Sequence, residues 1–223
     1  MKDFLCSTVG KKYIMGVTGL VWLGFVFAHM SGNLLMFVSP DAYNAYGHAI
    51  TSGKIVYVAE VVLILALLAH IKTAISLTHQ NFKARPQRYA MPTNGTKHTA
   101  LASRTMAATG ALVLAFVILH LASFKFGPHY ETEVDGVKMR DLHRLLVEVF
   151  TQPGYVVWYV VSLFLLGFHL KHGFNSVFQS LGLLNRANEA RIKALAMVYA
   201  VVVAGGFLAQ PIYVCVHALL NAK

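Results

Sequence analysis

Five stretches of about 20 or more predominantly apolar residues decide what this 223-residue chain can fold into. At a helical rise of 1.5 Å per residue, each is long enough to cross a hydrocarbon core of roughly 30 Å. Lipid offers no partner for backbone N–H and C=O groups, so such stretches close their own hydrogen bonds as helices. The expectation is an all-α integral membrane protein, a single transmembrane domain over 1–223, with five transmembrane helices in one bundle. The spans are expected at about 13–37, 55–77, 103–126, 155–177 and 192–217. Composition agrees, with 57% hydrophobic and 13% charged residues. The first stretch follows Lys11 and Lys12 as a signal peptide would, but it is too long and no small-residue cleavage site follows it. Cys6 and Cys215 fall near opposite ends of a five-span chain, so on opposite sides of the membrane, and neither belongs to a CxxCH motif.

A net charge of +10 would suggest nucleic acid in a soluble chain, but its distribution here reads as a topology signal, and no nucleic-acid partner is expected. Lys2, Lys11 and Lys12 precede the first span. Lys83, Arg85, Arg88 and Lys97 lie in the second loop, and Arg186, Arg191 and Lys193 in the fourth. In the third loop Lys138, Arg140 and Arg144 are offset by Glu131, Glu133, Asp135, Asp141 and Glu148, and the first loop has Lys54 against Asp41. The expected location is the cell (inner) membrane, and the positive-inside rule gives a cytoplasmic amino terminus and loops two and four, with an outer carboxyl terminus.

One histidine lies about two thirds of the way along each of the first four spans: His29, His70, His120 and His169. Because successive helices run in opposite directions, His29 levels with His120 near the outer face, and His70 with His169 near the cytoplasmic face. Each pair can supply both axial ligands of one haem iron, which predicts two bis-histidine haems b, on the order of 10 to 20 Å apart. With both axial positions filled such a haem moves electrons rather than activating oxygen. A single membrane histidine is more simply an interhelical hydrogen-bonding group, but four at matched depths make a set. Each has a small residue on its own face: Gly32, Thr73, Ser123 and Gly173.

Other polar residues near these levels are candidates for contact with the cofactor. Lys72 and Lys171 each stand two residues after a histidine, at the level where the inner haem's propionates would lie, or they snorkel to the interface. His172, one turn beyond His169, is read as a supporting or propionate group rather than a ligand. Ser31 and Asn33 are weaker candidates near the outer haem. Glu60, the only carboxylate within a span, is a candidate acceptor for a proton released by a quinol, or else faces the headgroups. His48, near Asp41 and Tyr43, is a candidate for a small-molecule site in the first loop.

The stretches Phe27-Ala28-His29-Met30-Ser31-Gly32-Asn33-Leu34, Leu68-Ala69-His70, Leu119-His120 and Gly167-Phe168-His169-Leu170-Lys171-His172-Gly173-Phe174 resemble the dihaem cytochrome b subunit of succinate dehydrogenase or fumarate reductase, b558 type. The resemblance covers nearly the whole chain. It implies a membrane anchor with two haems b, pairing the His29 and His120 positions on one and the His70 and His169 positions on the other. It also implies a flavoprotein subunit and an iron-sulfur subunit on the cytoplasmic side, and quinone, with menaquinone favoured, as the membrane substrate. Such a subunit conducts electrons and does not oxidise succinate alone. The alternatives are a stand-alone transmembrane dihaem quinone reductase and a small proton-coupled transporter using the histidines as a relay.

Overall fold

The computed structural model describes residues 4, 6–84 and 105–221. Lys2, Arg85, Arg88, Lys97, His98 and the opening of the third expected span at 103–104 lie outside the described residues.

Helix α1 (Thr8–Asn33) starts on Ser7, whose side chain accepts a hydrogen bond from the Gly10 amide, and runs into a 3₁₀ turn at Leu34–Phe37. Helix α2 (Pro40–Thr51) follows, capped by the Ser39 hydroxyl and begun by a proline that has no amide to leave unpaired. Then come α3 (Ile55–Lys83) and α4 (Met106–His120), the latter passing directly into a π turn at Leu121–Lys125. Strands β1 (Glu131–Val134) and β2 (Val137–Arg140) form an antiparallel hairpin, followed by α5 (Leu142–Phe150), α6 (Pro153–Ser180) and α7 (Glu189–Asn221). Among the described residues, five helices are long and apolar enough to cross a membrane: Thr8–Phe37, Ile55–Lys83, Met106–Lys125, Pro153–Ser180 and Glu189–Asn221.

Their packing sets the geometry of the interior. Helix α1 packs on α3 and α6, α4 packs on α6 and touches α3, and α7 lies against α6 and α1. The first four spans therefore form a ring in the order α3, α1, α6, α4, in which α1 faces α4 and α3 faces α6 across the diagonals. Close approach of α6 and α7 relies on small residues, with Gly167 against the Ala204 methyl and Ala196, Ala200 and Ala204 buried. Helix α3 carries Val58, Val61, Leu65, Leu68 and Ile75 exposed on its outer side, as a lipid-facing helix should.

The connections are more structured than the sequence reading allowed. Loops one and three meet at one end of the bundle, where α2 packs on β2 and α5. Asn44, 2% exposed, joins them: its amide donates to Asp141 at 3.0 Å and its carbonyl oxygen accepts from the His143 amide at 2.9 Å. The hairpin turn uses Asp135 and Gly136, both with positive φ, and pairs Glu131 with Arg140 and Glu133 with Lys138 across the strands. At the opposite end Lys11 donates to Ser76 and Gly16 lies against Ser180 and Leu181, so the start of α1 sits with the ends of α3 and α6.

Candidate functional site

The structure brings His29 and His120 together across the α1–α4 diagonal, with ring centroids 5.8 Å apart and planes at 80°. With metal–nitrogen bonds of about 2 Å, two imidazoles sharing one ion have centroids about 6 Å apart, so the spacing suits a shared metal. The surroundings are aromatic: Phe25 stacks on His29, Phe207 tilts against it, and Phe116 and Phe124 flank His120. The Tyr159 hydroxyl lies 3.2 Å from His120 Nδ1, and Tyr159 is only 4% exposed. Asn33 donates to the His29 carbonyl oxygen at 2.7 Å and lies near both nitrogens of the ring. Its own carbonyl oxygen accepts from Tyr43 at 2.8 Å, and burial pushes the Tyr43 hydroxyl pKa up to about 12.

His70 and His169 occupy the other diagonal, toward the end that holds the start of α1. His70 Nδ1 lies 3.1 Å from the Thr18 hydroxyl, and His169 Nδ1 lies 3.4 Å from that of Thr109. The next residue is a glycine in both cases. A Cβ on Gly19 would stand 3.8 Å from His70 Cε1 and 3.4 Å from Val177, and one on Gly110 would stand 3.4 Å from His169 Cε1. His169 is within electrostatic reach of both His70 and His172.

Of the small residues beside the histidines, Gly173 faces open space and Gly32 does not: a Cβ there would stand 2.3 Å from the Tyr46 ring, so this glycine admits α2. Thr73 returns its hydroxyl to the Ala69 and His70 carbonyls, and Ser123 to Leu119. Ser31 is exposed and bonded to the Phe27 carbonyl. Lys72 is exposed, whereas Lys171 and His172 are half-buried. Glu60 pairs with Lys125 of the π turn, which ties α3 to the end of α4. His48 lines a surface recess with His129, Glu131, Lys138, Met139 and Arg140, while Tyr43 faces away toward Asn33 and His143.

The π turn directly after His120 had no sequence signal. Beside it lies a cleft of about 260 Å³ between α4 and α5, lined by Leu119, Ser123, Leu145, Glu148, Gln152 and Tyr155 among others. Glu148 hydrogen-bonds Tyr130, which raises the tyrosine's pKa, and Arg144 lies over the Tyr130 ring at 4.1 Å.

Taken together, four imidazoles on opposed helices, an aromatic cage around one pair and glycines beneath the rings of the other would suit a flat metal-binding cofactor, which His29, His120, His70 and His169 would hold. Comparison with known proteins gives a match to the model of the succinate dehydrogenase/fumarate reductase transmembrane subunit, over residues 81–208, more than half of the chain. The chain belongs to that family. It is accordingly a multi-pass membrane protein, and membership implies assembly with the other succinate dehydrogenase subunits in a membrane complex. Comparisons with the curated proteins and with the solved structures returned no match. The matched region of this transmembrane subunit includes His120 and His169, while His29 and His70 precede it.

Proposed function

We propose that this transmembrane subunit carries electrons between an iron-sulfur subunit and a membrane quinone through two bis-histidine haems b, as a dihaem b558-type anchor. The observation that carries the reading is the placement of both histidine pairs on the diagonals of one four-helix ring, where a cofactor in the bundle core is reached from two sides. His29 and His120 would hold one haem, His70 and His169 the other. Bound there, haem iron supplies one-electron transfer. The chain's part is to hold the ligands, exclude water with Phe25, Phe116, Phe124 and Phe207, and bind quinone.

Orientation follows from charge. The amino terminus and loops two and four face the cytoplasm, and the basic loops two and four would form much of the docking surface for the flavoprotein and iron-sulfur subunits, which puts the His70/His169 haem next to them. Lys171 and His172, half-buried beside His169, would meet the propionates of that haem, with Lys72 at its edge. Ser31 stands at the rim of the outer haem. The cleft beside the π turn offers quinone an apolar wall with Glu148 at its side, next to His120. Glu60, on the other side of the same turn through Lys125, is the second carboxylate that can take a quinol proton there.

Reconstitution tests this reading. The complex purified through this subunit should contain flavoprotein and iron-sulfur subunits, and succinate should reduce its haem in a reaction linked to quinone. Haem reducible by quinol with no copurifying partners would favour a stand-alone reductase.

A further inference from the structure

Two helices that are not neighbours repeat one device. On α1, Thr18 precedes Gly19, and on α4, Thr109 precedes Gly110. Each threonine presents its hydroxyl to the Nδ1 of the histidine on the next helix, and each glycine lies beneath that same ring. Both threonines are buried.

The distances decide which way the hydrogen bonds run. A hydroxyl has one proton to give. Thr18 Oγ1 lies 2.7 Å from the Ile14 carbonyl oxygen, against 3.1 Å to His70 Nδ1. Thr109 Oγ1 lies 3.0 Å from the Thr105 carbonyl oxygen, against 3.4 Å to His169 Nδ1. In each case the proton goes back to the preceding turn, as threonine within a helix commonly allows, and only a lone pair is left for the imidazole. Nδ1 must then carry the ring proton and donate it, and the lone pair of the neutral ring falls on Nε2. The histidines of the other pair are supported differently, by Tyr159 and Asn33.

The geometry points to Thr18 and Thr109 as positioning residues for one haem: they fix His70 and His169 in the Nδ1-protonated form, so that Nε2 of each is presented as the metal ligand. This inference rests on the haem reading above. A bond accepted from Nδ1–H also raises the basicity of the ligand nitrogen and favours the more oxidised metal. Both threonines act on the His70/His169 site and neither on the His29/His120 site.

The test is a potentiometric titration of haem absorbance in membranes containing the full complex, for wild type, Thr18→Val, Thr109→Val and the corresponding serine variants. Valine keeps the shape and removes the acceptor, and serine restores the acceptor. The expected result is an upward shift of one of two midpoint potentials in each valine variant, with the other potential unchanged and the serine variants like wild type. Loss of one haem in the valine variants with recovery in the serine variants supports the same role. Unchanged potentials in both valine variants, or equal loss in valine and serine variants, would overturn it. Wild-type membranes without haem would instead refute the haem reading itself.

Discussion

His29 and His120 stand ring to ring at 5.8 Å although they belong to α1 and α4, the diagonal partners of the four-helix ring. Side chains that meet across a diagonal occupy the bundle core, where a cofactor can be enclosed by all four helices. The proposed haem pairs follow that relationship. His29→Leu should remove one of two low-spin haems and leave the other, and His70→Leu should remove the complementary one, read from low-temperature α-band spectra. Loss of both haems from either variant in an otherwise folded protein would contradict separate sites.

Gly127 closes the π turn beyond His120. A Cβ there would lie 1.9 Å from the Ser123 carbonyl oxygen, a backbone atom that cannot move without unwinding the turn. Gly127→Ala should therefore disturb the spectrum and potential of the His29/His120 haem while the His70/His169 haem keeps its wild-type values. The two are distinguished by redox titration.

Asn44 couples the first and third loops through two hydrogen bonds in a buried setting. Asn44→Ala leaves the Asp141 carboxylate and the His143 amide short of a partner, a loss on the order of 2 kcal/mol. Thermal unfolding in detergent should show a lower Tm, with haem content unchanged when the protein is kept cold.

If quinol is oxidised at the proposed cleft beside the π turn, a carboxylate there has to accept its proton. Glu148→Gln and Glu60→Gln should each leave the haem spectrum intact, and the variant of the residue that accepts the proton should slow quinol-dependent haem reduction by roughly 100-fold. Stopped-flow reduction by a quinol analogue measures this, and wild-type rates in both variants would move the site elsewhere.

Tyr43 gives a pH dependence. Its hydroxyl ionises near 10 in the unfolded chain and at about 12 in the folded one, because burial disfavours the phenolate. Above pH 10 the unfolded state loses the proton first, so the stabilising contribution is complete below about 10 and fades as pH rises toward 12. Tm should fall through that window, and less steeply in Tyr43→Phe.

The spans were legible because apolar length is a strong signal: the helices lie where the five stretches lie, though α1 begins at Thr8, α3 runs on to Lys83 and α7 starts at Glu189, since helical hydrogen bonding continues beyond the apolar band. Two structured loops were missed although their signals are local. Ser39-Pro40 is a helix start and Asp135-Gly136 a hairpin turn, and both were overshadowed by the hydropathy pattern. Tyr159, Thr18 and Thr109 could not be found from sequence, because each meets a histidine 39 to 60 residues away in the chain and only packing brings them together. Gly32, a small residue on the His29 face, proved to be space for Tyr46, a use that the sequence alone does not show.

The most direct test of the central claim is the haem content of the purified complex, from a dithionite-reduced minus oxidised spectrum with a pyridine haemochrome assay. Two low-spin haems b per copy of this subunit is the predicted result. A complex with no haem b would contradict the account, and the four membrane histidines would then need a role as a proton or substrate path.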